Sequence, residues 1–242
     1  MNIIEYINKY KEKSFEEETF NEVDNIVLSI LSYLDFDKLV NEENSIKYVG
    51  KKFLEKYTYK EVAKLGIPQK DAYNCLKEVI NTKRYGNIQI LNYIYLGTKE
   101  EQFSALTFKI NKDLIYVAFE GTDNLMSGWK EDFQLSYMYP IKSQIHAIEY
   151  LNKTIKMFGP KVIVGGHSKG GNLALVSSME INKLKQNKII KIYNNDGPGL
   201  RKKEFQSKKY NNIKNKYIHL IPYNSFIGIM LRNSNYKIVE SS

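Results

Sequence analysis

The stretch KVIVGGHSKGGNLALV, residues 161–176, constrains the fold of this chain more than any other. KVIVG is a short apolar run rich in β-branched residues and reads as a buried strand, while GGNLALVSSMEINKL reads as a helix. Between them, Gly166-His167-Ser168-Lys169-Gly170 fits G-x-S-x-G in its required strand–turn–helix setting. The turn is so tight that a side chain at Gly166 or Gly170 strikes neighbouring backbone, and Ser168 at its tip is expected in a strained conformation with its hydroxyl above the sheet. The helix that follows aims its orphan N–H groups and positive end at the same spot. An ordinary glycine-rich turn between strand and helix is the plainer alternative.

The surroundings suit such a turn. Residues 1–85 read as mainly helical: FNEVDNIVLSILSYLDF places Phe20, Val23, Val27, Ile30, Leu31 and Leu34 at helical spacing, and SIKYVGKKFLEKY and PQKDAYNCLKEVI add two shorter candidates. Strand-like runs begin near residue 86 with IQILNYIYL, FSALTFKI and LIYVAFEG, the last two forming a hairpin that turns at 111–113. IKSQIHAIEYLNKTIKMF reads as a helix ended by Gly159 and Pro160, IIKIY as a strand, the charged stretch 200–210 as a helix, and YIHLIP and YKIV as closing strands. Short strands alternating with helices imply an α/β fold, a mostly parallel sheet flanked by helices. The expectation is a single domain, 1–242, with a helical N-terminal segment (1–85) and a sheet-containing core (86–242).

Composition narrows the setting. The net charge of +9 is uneven, because residues 1–50 hold eleven acidic and five basic side chains. The basic run RKKEFQSKK (201–209) is a candidate for peripheral contact with anionic membrane, although a solvated surface helix is the preferred reading. No zinc-finger spacing or aromatic RNA-binding motif supports nucleic acid as a partner. The single cysteine, Cys75, rules out an intrachain disulfide, points to a reducing, cytoplasmic setting, and falls on an apolar helical position expected to be packed core. The N-terminus has no secretory apolar core, no run is long enough to span a membrane, and no His/Cys/Asp cluster holds a metal; no cofactor is expected.

A serine nucleophile needs an oxyanion site, an acid and a base. AFEGTDN, at the end of LIYVAF, is the natural second oxyanion loop: Gly121 lets backbone approach and the Thr122 amide pairs with that of Lys169, with a Gly-Thr-Asp turn capped by Asp123 as the alternative. Downstream, Trp129, Phe133 and Leu135 are expected to pack over the sheet edge, with Glu131 and Asp132 pairing with basic neighbours or fixing that packing. Asp196, just past IIKIY, is the candidate acid; a DGPG turn holding loop shape competes with it.

VAFEGTDNLMSGWKEDF, GGHSKGGNLAL and NNDGPG, together with the N-terminal MNIIEYINKY and FNEVDNIVLSILSYLDF, resemble the bacterial Mbeg1-like family, which is distantly similar to the fungal class 3 lipases. The resemblance implies an α/β-hydrolase-like fold and an esterase or lipase acting on an apolar or lipid-like ester. It maps the oxyanion segment of those lipases onto Phe119-Glu120-Gly121-Thr122, with Glu120 where they carry arginine. It also places the acid after the next strand, where this chain has Asn224 and Ser225.

The base is the weak point. His146 lies on the helix before the serine strand and is expected at the surface or an interface; His167 adjoins Ser168 but is expected to point away and pack on the sheet; His219 lies inside YIHLI, where a satisfied core residue is preferred over the base. The resemblance implies a histidine in a segment beyond YKIV, so the natural chain is expected to continue past Ser242. The competing expectation is a non-catalytic binding or scaffolding protein of the same fold.

Overall fold

The computed structural model describes residues 1–40, 44–97, 102–122, 134–234 and 236–240. Among them, seven strands form one sheet in sequential order: β1 (Gln89–Gly97), β2 (Gln102–Lys109), β3 (Leu114–Phe119), β4 (Lys161–His167), β5 (Ile189–Asn195), β6 (Tyr217–Pro222) and β7 (Tyr236–Val239). The β1–β2 and β2–β3 pairs are antiparallel, and every pair from β3 to β7 is parallel. The fold is α/β-hydrolase-like: a mixed sheet flanked by helices.

Sequential order has a consequence for the layers. Right-handed crossovers that step one strand at a time in one direction all return over the same face of the sheet. Helices α6 (Lys142–Thr154), α7 (Lys169–Glu180) and α10 (Lys208–Ile213) do so, and their Ala147, Leu151, Leu173, Val176 and Ile213 pack with Val117, Val162, Val164 and Ile192 of the strands. The opposite face is bare unless something else covers it, and a parallel sheet needs both faces buried. The N-terminal helices supply that layer: α1 (Ile3–Tyr10), α2 (Glu22–Leu31), α3 (Ile46–Lys56) and α5 (Ile67–Val79) enclose Leu106, Phe108, Tyr116, Ala118, Ile163, Tyr193 and Leu220. Alternate residues of each strand therefore feed two different cores, and β2 is buried on both faces rather than on one.

Polar anchors fix α2 to the sheet. Asn25 donates to Asn195 Oδ1 at 2.8 Å, Asn195 donates to Ser29 Oγ at 3.0 Å, and the Tyr116 hydroxyl joins both Asn25 and Ser29. Gly165 permits this approach, because a Cβ there would lie 2.6 Å from Asn25 Oδ1. Asp24 and Arg84 form a fully buried ion pair, with Nε at 2.8 Å and Nη2 at 2.6 Å from the two carboxylate oxygens. Arg84 also stacks 4.2 Å over Phe15 and donates to the Glu18 carbonyl at 3.0 Å.

Several expectations need correction. α6 ends at Thr154, well before Gly159, because Ile155 turns extended (ψ 117°) to bury its side chain, leaving Phe158 fully exposed. The charged stretch is two short helices, α9 (Lys202–Phe205) and α10, broken where the Ser207 hydroxyl caps the Tyr210 N–H at 3.1 Å. In that stretch Arg201 pairs with Glu204 and Lys209 with Glu180, while Lys202, Lys203 and Lys208 are exposed. Cys75 is buried in α5, where burial pushes its thiol up to about 12. Of the segment after the 120–122 loop, Leu135 is buried; Asp123, Trp129, Glu131, Asp132 and Phe133 lie outside the described residues. Among the described residues no helix is long and apolar enough to cross a membrane.

Candidate functional site

The parallel strands β3, β4, β5 and β6 all point their C-terminal ends to one side, and register brings Phe119 beside Gly166 and His167 beside Asn195. The crevice outside such ends is where open α/β sheets place their ligands. Ser168 sits there between β4 and α7, at φ 54° and ψ −128°, a conformation L-residues rarely take. The packing explains the strain. A Cβ at Gly166 would lie 2.6 Å from the Phe119 carbonyl oxygen, and one at Gly170 only 2.8 Å from the Phe119 carbonyl carbon. The start of α7 is thus pressed against the end of β3, and the chain can pass from β4 into α7 only by the sharp turn that has Ser168 at its tip.

The Ser168 carbonyl accepts from Gly171 N–H at 2.9 Å, and its own N–H donates to Asn195 O at 2.9 Å, so the serine backbone is tied on both sides. Lys169 is the first residue of α7, so its N–H belongs to the first turn of that helix. The 120–122 loop lies alongside: a Cβ at Gly121 would come 3.2 Å from Ser168 Cβ and 2.5 Å from the His167 carbonyl oxygen. Thr122, half-buried, follows directly.

Lys169 has a second contribution that its place in the motif does not announce. Its side chain is buried, and Nζ donates to the Gln102 carbonyl at 3.0 Å and to Gln102 Oε1 at 3.3 Å. Gln102 Nε2 donates in turn to the Gly121 carbonyl at 3.3 Å. Lys169, the residue after Ser168, is therefore strapped to the 120–122 loop through one glutamine. Glu120, in the position of the lipase arginine, is buried and donates its N–H to Ser104 O at 3.1 Å.

Asp196 is also held at a positive φ of 56°. Its Oδ1 accepts the Ser225 hydroxyl and, at 3.1 Å, the Gly228 N–H. The DGPG loop around it is fastened separately: Asn194 Oδ1 accepts the Gly197 N–H at 2.8 Å, and Asn172 Nδ2 donates to the Gly199 carbonyl at 2.8 Å. Loop shape thus rests on Asn172 and Asn194, and the Asp196 carboxylate faces the turn after β6.

The histidines divide three ways. His167 Nδ1 is 2.8 Å from the Tyr33 hydroxyl, just beyond α2, with the two rings edge to face. Burial holds its ring below the ordinary histidine value, and the Asp196 charge acts in the opposite direction. His146 is half-buried against Phe103, with ring centroids 5.6 Å apart. His219 is fully buried in β6 beside Tyr217, as a core residue should be, but among the described residues neither ring nitrogen meets a partner in good hydrogen-bond geometry. Burial pushes it down to about 4, against a smaller opposing pull from the Gly197 backbone. No described residue hydrogen-bonds the Ser168 hydroxyl, and no described group of His, Cys, Asp and Glu forms a metal site.

Sequence reasoning located Ser168, Lys169, Thr122 and Asp196 at one end of the sheet, where the structure places all four. It missed Tyr33, Gln102, Asn172 and Asn194. Asn172 and Asn194 had a signal, since polar residues inside an otherwise apolar helix and strand need partners.

Comparison with solved structures finds M37 lipase at a TM-score of 0.47 and 15% identity, covering 87% of this chain and 70% of the other. A fungal lipase–inhibitor complex, described as a model for interfacial activation, gives 0.46 and 15% over 93% and 72%. No curated protein matches the sequence. Residues 79–242, from the last residue of α5 through the whole sheet, match the Mbeg1-like family, and the chain belongs to it.

Proposed function

We propose that this chain is a serine-dependent hydrolase of apolar or lipid-like carboxylic esters. Ser168 Oγ bonds to the acyl carbon and its proton leaves with the alcohol; water then cleaves the acyl-enzyme and restores the hydroxyl. The amides of Thr122 and Lys169 hold the oxyanion, and Asp196 is the acid of the site. The observation that carries the reading is the Ser168 backbone, held at φ 54° at the N-terminus of a twelve-residue helix against the Gly121 loop. Strain of this kind persists only where surrounding structure enforces it, and a helix N-terminus favours developing negative charge.

Incubation with an ethyl fluorophosphonate followed by intact mass tests the nucleophile. One adduct on the wild type and none on Ser168→Ala is expected; the same mass gain, or none, on both would falsify it. An ester panel of graded chain length then measures turnover.

A second reading, a non-catalytic binding protein, is favoured by two contacts: the Tyr33 hydroxyl occupies His167 Nδ1, and Ser225 with Gly228 occupies Asp196 Oδ1. It predicts no adduct and no turnover across the panel. The exposed Lys202, Lys203 and Lys208 supply a surface for anionic membrane under either reading; vesicle binding that is insensitive to salt and to reversing these charges removes it.

A further inference from the structure

Beside the elbow, on the α2 face of the sheet, lies a cavity of about 290 Å³. Its walls are Ile26 and Ile30 of α2 and Ile67 and Pro68 of α5, its floor is formed by His167 and Asn195 at the ends of β4 and β5, and Ser29, Tyr33 and Asp71 complete the lining. Ile67 is 74% exposed and Asp71, one turn along α5, is exposed too, so the rim is open to solvent and carries one apolar and one charged side chain. The floor is polar and largely spent. Asn195 bonds Asn25 and Ser29, and the Tyr33 hydroxyl bonds His167 Nδ1. When Nδ1 accepts that hydroxyl, the proton of the neutral ring sits on Nε2, for which no described residue is a partner. A cavity walled mainly by aliphatic side chains, with polar groups gathered at its floor, matches a ligand with an aliphatic body and an oxygen at its inner end.

The cavity is not remote from Ser168. The Tyr33 hydroxyl and Ser168 Cβ are both near neighbours of the point where a Gly121 Cβ would stand, so the wall of the cavity is also a wall of the oxyanion loop. At about 30 Å³ per non-hydrogen atom, the volume takes roughly ten such atoms. We propose that this cavity holds the medium-length aliphatic acyl chain of the ester, with its carbonyl end towards the elbow. The proposal rests on the reading of Ser168 as nucleophile for the ester, and it adds the substrate class. A sugar or peptide side chain finds no hydrogen-bonding along Ile26, Ile30, Ile67 and Pro68, so burying one there costs free energy.

The experiment uses sodium decanoate and sodium acetate, below micelle-forming concentration, titrated calorimetrically into the full chain. Decanoate is expected to bind wild type and Ser168→Ala alike, and acetate to bind neither over the same range. Ile30→Phe fills the shaft and Ile67→Asp adds a second carboxylate to the rim beside Asp71; each should weaken decanoate at least tenfold. Ile67 is exposed, so its variant keeps its thermal midpoint and remains informative should Ile30→Phe fail to fold. No decanoate binding, or equal affinity for wild type and Ile67→Asp, overturns the proposal. Labelling of Ser168 by octyl and ethyl fluorophosphonates separates the two ideas. The octyl reagent should react at least tenfold faster, and equal rates overturn the placement of the acyl chain. Labelling without decanoate binding rejects the cavity assignment and leaves the hydrolase reading standing. Decanoate binding without any labelling rejects the hydrolase reading and supports an acyl-chain cavity.

Discussion

Replacing Asp24 by Asn tests how the N-terminal layer is locked to the sheet. Asp24 and Arg84 have no exposed side-chain surface, and the carboxylate is saturated: two guanidinium nitrogens at 2.6 and 2.8 Å, the Tyr85 hydroxyl at 2.6 Å and the Asn21 N–H at 2.9 Å. Asn keeps the shape but removes the charge, leaving a guanidinium in the core with no counter-ion. Breaking one side of a buried pair costs about 3–5 kcal/mol. Set against a typical total of about 5–15 kcal/mol, that is a third or more of the fold. Removing both charges, in Asp24→Leu with Arg84→Met, should cost less than the single change, since no ion is then stranded. Urea unfolding of wild type, single and double variants at pH 7, at equal slope, measures both quantities. An Asp24→Asn cost below about 1 kcal/mol, or a double variant less stable than the single, refutes the account.

Other outcomes follow from single contacts. Gly170→Ala would bring its Cβ to 2.8 Å from backbone carbon of Phe119, which cannot move without β3; a loss of about 1–3 kcal/mol and at least a hundredfold slower Ser168 labelling are expected by melting and mass spectrometry. His219 at about 4 lies below the ordinary 6.5, so between those values the unfolded chain holds a proton that the native chain does not. Its contribution is intact above pH 6.5 and declines by up to about 3 kcal/mol as pH falls to 4; His219→Leu should flatten that slope, read from urea midpoints at pH 7 and 4.5. Tyr33→Phe removes the partner of His167 Nδ1 at a cost of about 1 kcal/mol, and should raise the apparent titration of His167 followed by NMR.

The sheet was legible because its strands are punctuated: LIYVAF, KVIVG, IIKIY and YIHLIP are apolar runs bounded by turns, and each became a strand. The elbow was legible because its glycines answer a local steric demand, the close approach of Phe119, that a five-residue motif records in full. Helix ends were less so. The heptad-like spacing that runs on to Phe158 gave no sign that Ile155 would leave α6 to fill the core beneath. Partners distant in sequence were invisible. Tyr33 and His167 are separated by 134 residues and Asp24 and Arg84 by 60, and nothing local in either segment encodes the other. The layer to which α2 belongs could be expected only from strand order, which depends on every crossover together.

The two positions at which a carboxylate was expected turn out to be one place. β5 and β6 are adjacent and parallel, so the loops that leave their ends emerge side by side. Asp196 donates its N–H to Leu220 O at 2.8 Å, which pins the first residue after β5 to the strand that carries Ser225 and Gly228 beyond its end. Its φ of 56° then swings the side chain across the β5–β6 boundary, where the Ser225 hydroxyl and the Gly228 N–H receive it. Asp is among the few residues that take up this conformation at modest cost, so the position selects for the side chain as well as the turn. Gly228 completes the fit, since a Cβ there would lie 2.6 Å from Asp196 Oδ1. On the reading proposed for this site, Asn224 at the later position does not leave the site short of an acid. The negative charge is delivered from the neighbouring strand, and the turn after β6 is shaped to accept it.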